Sequence, residues 1–329
     1  MANRSKHGRV HKRPFKERKR LGPQQCHRTG YIPAITTPFD RSGRLDLEAF
    51  AGQMDWLVTE RMHGVILAGT SGEWFSMTIP ERAKLFDAGA GYRRHGLVVI
   101  GSCNAFTVAE AITHARAAEK AGLDGILLTP PPYVVPNRRE IVNFYRTVSA
   151  ATDIPLTIYN WPRGCIVDMT PDLLDELADI DNVVAIKNST GDFASFLSAM
   201  YKVEGRVRYF GLPTSALGAD LALLGHGDGL MGSGGVLGSD HPDFWRAITK
   251  GDRDRAIQLG ERDRVIMQSW FQPNYGAQFG NQQAIMKTAL RLRGVPAGYV
   301  RDPLLELTDA EVQRVDDTLR SLGIETRPL

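Results

Sequence analysis

The chain has 329 residues, 43% of them hydrophobic, with 40 Lys/Arg against 37 Asp/Glu. That length supports a large core, as one big domain or a domain plus an appendage. No apolar run reaches the roughly 18 residues that a membrane helix needs, and no hydrophobic signal segment stands near the start, so the expected setting is cytoplasmic, with no membrane partner. In chain order, residues 1–28 come first. They hold ten Lys/Arg against Glu17 alone, so the remainder carries 30 basic and 36 acidic residues. This basic tail is expected to be a disordered, solvated extension. Such a tail has the charge to touch nucleic acid, but the acidic body argues against nucleic acid as the partner. Cys26, Cys103 and Cys165 are odd in number, widely spaced and match no metal pattern, so reduced thiols are expected.

From Gly30 a rhythm sets in: a short apolar run, a polar loop, then a helical pattern. Eight runs read as strands: 32–37, 64–68, 98–101, 125–129, 155–160, 183–187, 207–211 and 229–232. Between them, residues 47–60 read as a helix. Residues 78–91 open on Thr78-Ile79-Pro80-Glu81, a capping box with proline in the first turn. Residues 107–121 open on Thr107-Val108-Ala109-Glu110, a second predicted box, and end at Gly122. Thr170-Pro171-Asp172 opens another helix. Strands alternating with helices predict a parallel sheet with right-handed crossovers. Eight units over 29–250 predict a (β/α)8 TIM barrel. The runner-up, an open doubly wound sheet, lacks its GxGxxG fingerprint. Residues 251–329 show helical patterns only, at 253–267, 282–292 and 309–322, and predict a C-terminal helical appendage.

In such a barrel, chemistry sits at the C-terminal ends of the strands. The sixth run ends on Lys187, an unusual residue to bury. The fifth ends on Tyr159-Asn160. The second leads into Gly69-Thr70-Ser71-Gly72-Glu73, the fourth into Thr129-Pro130-Pro131-Pro132-Tyr133. Taken singly, each has a plain reading: a snorkelling lysine, a core tyrosine, a turn, a stiff loop. Together at one mouth they suggest chemistry. Burial lowers a lysine pKa and frees the amine as a nucleophile toward a carbonyl. A tyrosine hydroxyl can move the protons that iminium formation requires. A Gly-Thr-Ser-Gly turn offers hydroxyl and N–H donors to a carboxylate. A 2-oxo acid such as pyruvate has both handles.

The segments Gly30-Tyr31-Ile32-Pro33-Ala34-Ile35-Thr36-Thr37-Pro38-Phe39, Gly69-Thr70-Ser71-Gly72-Glu73, Tyr159-Asn160-Trp161-Pro162 and Lys187-Asn188-Ser189-Thr190-Gly191-Asp192 resemble the dihydrodipicolinate synthase / N-acetylneuraminate lyase family of class I aldolases. The resemblance covers nearly everything after residue 29. It implies that Lys187 is the Schiff-base lysine and Tyr159 the proton-shuttling tyrosine. It also implies that Thr70 and Ser71 bind the 2-oxo acid carboxylate and join a proton relay. Tyr133 is the candidate for a relay tyrosine donated by a neighbouring subunit, which implies a homo-oligomer, a dimer or a tetramer. No metal or organic cofactor is implied.

The second substrate is open. Family members add aldehydes to pyruvate, split sialic or keto-deoxy acids, or dehydrate them. In the synthase an arginine shortly after the tyrosine motif binds the aldehyde's carboxylate; Arg163 stands one place early for that. Glu73–Thr78 looks more like the corresponding loop of keto-deoxy-glucarate dehydratases. Gly211-Leu212-Pro213-Thr214-Ser215 replaces the synthase's acidic loop and makes Gly211 a candidate substrate contact. The Gly232-Ser233-Gly234-Gly235 turn reads as a tight turn closing the barrel, with anion binding as the alternative, and His241 as a helix-start residue. The expected activity is a Schiff-base aldolase-type lyase, with a keto-deoxy-acid dehydratase as one alternative. The other is a catalytically silent 2-oxo-acid-binding barrel, against which the joint presence of Lys187 and Tyr159 argues.

Overall fold

The computed structural model describes residues 29–329; the basic tail lies outside them. Its strands are β1 (Gly30–Tyr31), β2 (Gly64–Leu67), β3 (Val98–Ser102), β4 (Gly125–Leu128), β5 (Leu156–Asn160), β6 (Val183–Asn188), β7 (Arg208–Phe210) and β8 (Gly229–Leu230). All pair in parallel, in the order β1-β8-β7-β6-β5-β4-β3-β2. Closure between the two ends runs through the segment after β1. Ala34 bridges both Ile66 and Ser233. The Ile66 N–H donates to the Pro33 carbonyl at 2.8 Å, and the Ile35 N–H to the Ile66 carbonyl at 3.1 Å. The first apolar run, 32–37, is therefore mostly an irregular seam, and the regular strand lies just before it. Pro33 explains part of the shift, because it has no N–H to give to a ladder.

The helices are α1 (Leu47–Thr59), α2 (Ile79–Ala90), α3 (Val108–Ala121), α4 (Arg138–Ala151), α5 (Pro162–Cys165), α6 (Pro171–Leu177), α7 (Phe193–Val203), α8 (Ala216–Leu223), α9 (Asp240–Thr249), α10 (Arg253–Trp270), α11 (Gln282–Leu292) and α12 (Asp309–Ser321). Thr78 and Glu81 form the reciprocal capping box of α2. At α3 the box is one-sided: Thr107 caps the Glu110 N–H, without the return bond from the Glu110 side chain. The structure adds a full box at Asn137–Glu140 that the Ser/Thr pattern does not reveal. Among the described residues, no helix is long and apolar enough to cross a membrane.

Strand side chains alternate between two cores. Ile32, Ile66, Ile100, Leu127, Phe210 and Met231 fill the barrel interior. Val65, Leu67, Val99, Leu128 and Ile158 pack outward against the helices. A third cluster, with Trp270, Ile285, Leu290 and Val315, joins α10, α11 and α12 to Val236 and Leu237 after β8.

One polar bond ties this helical layer to the barrel. Glu73, at the end of the turn after β2, and Lys287 on α11 are both fully buried, with Nζ 2.5 Å from Oε1. Lys287 also donates to the Tyr299 carbonyl at 2.6 Å, and the second Glu73 oxygen accepts from the Arg301 N–H at 3.1 Å. Both charges are thus paired and hydrogen-bonded, the condition under which buried ions are tolerated. Removing one partner strands the other. A Lys287→Met variant is expected to lose about 3–5 kcal/mol in urea denaturation. Glu73→Gln combined with Lys287→Met is expected to recover much of that loss; an additive loss would show that the pair is not the bond that matters.

Candidate active site

The barrel places Lys187 and Tyr159 side by side. They are direct cross-strand partners in the β5–β6 ladder, as are Lys187 and Phe210 in the β6–β7 ladder. Partners in register project to the same face. One βαβ unit therefore converts a 28-residue separation into contact. The Lys187 Nζ lies 4.2 Å from the centroid of the Tyr159 ring. Both residues are buried, and among the described residues Lys187 has no carboxylate partner. Burial alone pulls its pKa from 10.5 down to about 7. The same burial pushes the Tyr159 phenol up, so the hydroxyl keeps its proton at neutral pH; Ser189 and Thr70 hydroxyls hydrogen-bond to it and oppose that shift.

Two carboxamides hold this pair. Asn160 Nδ2 donates to Asn188 Oδ1 at 2.9 Å and to Asp168 at 2.7 Å, and Asn160 Oδ1 accepts from the Met169 N–H at 3.0 Å. Asn188 Nδ2 donates to the Tyr209 hydroxyl at 2.7 Å, which in turn donates to the Phe196 carbonyl at 3.0 Å. The Thr190 hydroxyl donates to Asp168 at 2.6 Å. The asparagines beside the tyrosine and the lysine thus lock the two strand ends together.

The turn after β2 supplies the opposite wall. Ala68 and Glu73 both adopt positive φ, at 50° and 56°, and bracket a tight loop. Gly72 is required within it, since a Cβ there would sit 3.0 Å from the Ile35 carbonyl oxygen. The Thr70 and Ser71 N–H groups donate to no backbone carbonyl among the described residues. The Ser71 and Ser233 hydroxyls are 2.7 Å apart, and Gln282 at the start of α11 donates to Ser233 at 2.5 Å. Gln283 donates to the Thr70 carbonyl at 3.0 Å. The turn at 232–235 therefore buttresses the Ser71 hydroxyl.

Lys187, Tyr159, Thr70, Ser71, Ser189 and Gly211 all line one cavity of about 340 Å³. Gly211, at φ +141°, has no room for a Cβ, which would meet the Asn188 carbonyl at 2.3 Å. Two further candidates lie elsewhere. Arg163, in α5, is exposed and lines a neighbouring recess that shares Thr70, Trp161 and Gln282 with the lysine cavity. Tyr133 is 86% exposed on the loop after β4 and lines neither space in this single chain. The Glu73–Thr78 loop also turns away: Glu73 is bound to Lys287, and Trp74 packs on Phe106 with the Arg82 guanidinium over its ring. Its likeness to a dehydratase loop reflects packing rather than contact with a substrate. The sequence reading missed Gln282, His241 and Asp263 as cavity residues. His241 stands in the first turn of α9, as a helix-start residue should, but it also lines the cavity.

The comparisons agree with this geometry. The profile described as "Dihydrodipicolinate synthetase family" matches residues 27–322. The chain belongs to the dihydrodipicolinate synthetase family. It is 28% identical over 296 residues to the 4-hydroxy-tetrahydrodipicolinate synthase of Oceanobacillus iheyensis, covering 88% of this chain and 95% of that one. It is 27% identical over 306 residues to a protein of Rhizobium meliloti described as an uncharacterized DapA-like lyase, covering 90% and 97%. The crystal structure of dihydrodipicolinate synthase from Aquifex aeolicus superposes with a TM-score of 0.82 at 23% identity, over 92% of this chain and all of that one. Members of the family are Schiff-base, pyruvate-dependent aldolase-type lyases, and this chain is an enzyme of that class.

Lys187 has a lower pKa folded than unfolded. Between about 7 and 10.5 the unfolded chain binds the extra proton, so stability rises with pH across that window. The burial penalty is full below it. A Lys187→Met variant is expected to be more stable than wild type by about 1–4 kcal/mol at pH 7, with a smaller gain at pH 10. Urea midpoints at the two pH values test this; a loss of stability at pH 7 would mean that the ammonium has a partner.

Proposed function

We propose that Lys187 is the Schiff-base nucleophile and Tyr159 its proton shuttle, acting on pyruvate or a related 2-oxo acid. The observation that carries this is a buried, unpaired amine whose strand partner is a buried tyrosine at the mouth of a parallel barrel. The neutral amine adds to the C2 carbonyl. Tyr159 passes a proton to the departing oxygen, water leaves, and an iminium remains. The iminium withdraws electrons from C2, so C3 gives up a proton and becomes an enamine carbon. In addition, that carbon attacks an aldehyde; in cleavage, the same bond breaks in reverse. The Thr70 and Ser71 hydroxyls and N–H groups hold the 2-oxo acid carboxylate, and Gly211 offers bare backbone along the substrate's path. Ser189 joins the relay through its bond to the Tyr159 oxygen. The buried free thiols Cys103 and Cys165 support a reducing, cytoplasmic setting.

Incubation with pyruvate followed by borohydride is expected to leave a reduced pyruvyl adduct on Lys187, read by peptide mass. Tyr159→Phe is expected to lower kcat by about 10²–10⁴ while the adduct still forms slowly. A folded protein that gains no adduct would reject the assignment of Lys187.

The active form is a homo-oligomer, a dimer or a dimer of dimers. Its support is an apolar face on the loops after β2, β3 and β4, where Phe75, Phe106, Tyr133, Val134 and Val135 are all exposed. Such a face is costly in water and marks a contact surface. Tyr133 belongs to these exposed residues, and we take it as the one that reaches a second subunit's cavity. Light scattering is expected to show a dimer or tetramer, and Phe106→Asp with Val134→Asp is expected to yield monomers of reduced activity. A wild-type protein that is monomeric and fully active would refute this arrangement.

A further inference from the structure

The half of the cavity beyond Lys187 has an unusual lining. Six of its residues are apolar and buried or nearly so: Met231, Val236, Leu237, Ile266, Phe271 and Met286. An aromatic wall runs outward from the lysine. Tyr159 stacks near Trp161 at 5.9 Å between centroids, and Trp161 meets Tyr275 at 6.2 Å. The polar corner is anionic. Asp263 on α10 accepts from the Thr214 hydroxyl and lies 2.9 Å from His241 Nε2, and His241 is stacked on Tyr31 at 4.1 Å.

Among the described residues, few cations line this cavity. Besides Lys187 and the engaged His241, the basic residue lining the cavity is Arg264. It is exposed, and its guanidinium is held by Glu261 at 2.7 Å and Gln268 at 2.7 Å. Arg163 lines the adjoining recess, which shares Thr70, Trp161 and Gln282 with the cavity, and not the cavity itself. A carboxylate on the second substrate would lose its water, face apolar carbon and meet the Asp263 charge. Hydroxyls of a polyol that faced these six side chains would be left without partners.

We infer that the second substrate is an uncharged, largely apolar aldehyde of aryl size, stacked along Tyr159, Trp161 and Tyr275. This rests on the Schiff-base reading of Lys187. The enamine C3 of pyruvate forms a bond to the aldehyde carbon. The carbonyl π pair becomes an alkoxide that takes a proton, and water releases a 4-aryl-4-hydroxy-2-oxobutanoate from the lysine. No oxidant or reductant is needed. Asp263 selects by charge: its carboxylate repels anionic aldehydes and accepts a hydroxyl on the ring.

The test supplies excess pyruvate and, separately, benzaldehyde, succinic semialdehyde and glyceraldehyde to the full-length enzyme, following products by mass. The kcat/KM for benzaldehyde is expected to exceed that for the other two by about 10-fold or more, the scale set by a mismatched side chain in a pocket. Asp263→Asn is expected to raise kcat/KM for succinic semialdehyde relative to benzaldehyde by about 5-fold, whereas a merely structural role would lower both alike. Preference for succinic semialdehyde or glyceraldehyde, or no aldol product from benzaldehyde in a protein that does form the pyruvyl adduct on Lys187, overturns the inference alone. Absence of the adduct overturns the Schiff-base reading and this inference with it.

Discussion

Two lysines are buried among the described residues, Lys187 and Lys287, and their surroundings differ in one respect. Lys287 has a carboxylate within hydrogen-bonding distance; Lys187 has an aromatic ring. Both lose hydration, and burial lowers both pKa values, to about 8 for Lys287 and about 7 for Lys187. The paired lysine serves as a structural bolt. The unpaired one stores the desolvation penalty as amine reactivity. The barrel can hold such a group because β5, β6 and β7 fix it between Tyr159 and Phe210, and the Asn160–Asn188 bond keeps those strand ends from parting.

The two lysines are also connected in space. Glu73 closes the turn that carries Thr70 and Ser71, and Lys287 holds Glu73 from α11. The same helix begins with Gln282 and Gln283, which bond to Ser233 and to the Thr70 carbonyl. One helix therefore braces the Thr70–Glu73 turn at three points. The C-terminal helices are part of the site's wall, since α10 and α11 bring Asp263, Ile266, Gln282 and Met286 to the cavity. Disturbing the Glu73–Lys287 bond would loosen the turn without touching Lys187.

The barrel was readable because each strand is a short apolar run with its own helix, and that period survives sequence divergence. That Lys187, Tyr159, Thr70, Ser71 and Gly211 meet at one cavity was readable for a related reason: each stands near or just beyond the C-terminal end of a strand, and strand ends converge in a barrel. Four features were not. The seam at Pro33–Ala34 looks like a strand because its residues are apolar, but Pro33 can only accept, from the Ile66 N–H, and has no N–H to return. The Glu73–Lys287 pair spans 214 residues, and nothing local marks either member as buried. Asp263 lies within Glu261-Arg262-Asp263-Arg264, which reads as a solvated helical face. Only the packing of α10 against α8 and α9 turns that aspartate toward His241. Arg163 carries the opposite lesson. It was readable as a cation near the site, and it lines a recess beside the lysine cavity.

The division of the cavity follows from where its walls originate. The half around Lys187 is built from strand ends and strand-adjacent turns, whose geometry the hydrogen-bond ladder fixes. The other half is built from α9, α10, α11 and the loops around them, whose side chains face the cavity without bearing on the ladder. Substitutions there alter charge and shape but leave the lysine's desolvation intact. In this chain Ile266, Phe271 and Met286 make that part of the wall apolar, beside Asp263 and Gln282. The barrel constrains the bond-making chemistry, and the helical layer constrains the molecule presented to it.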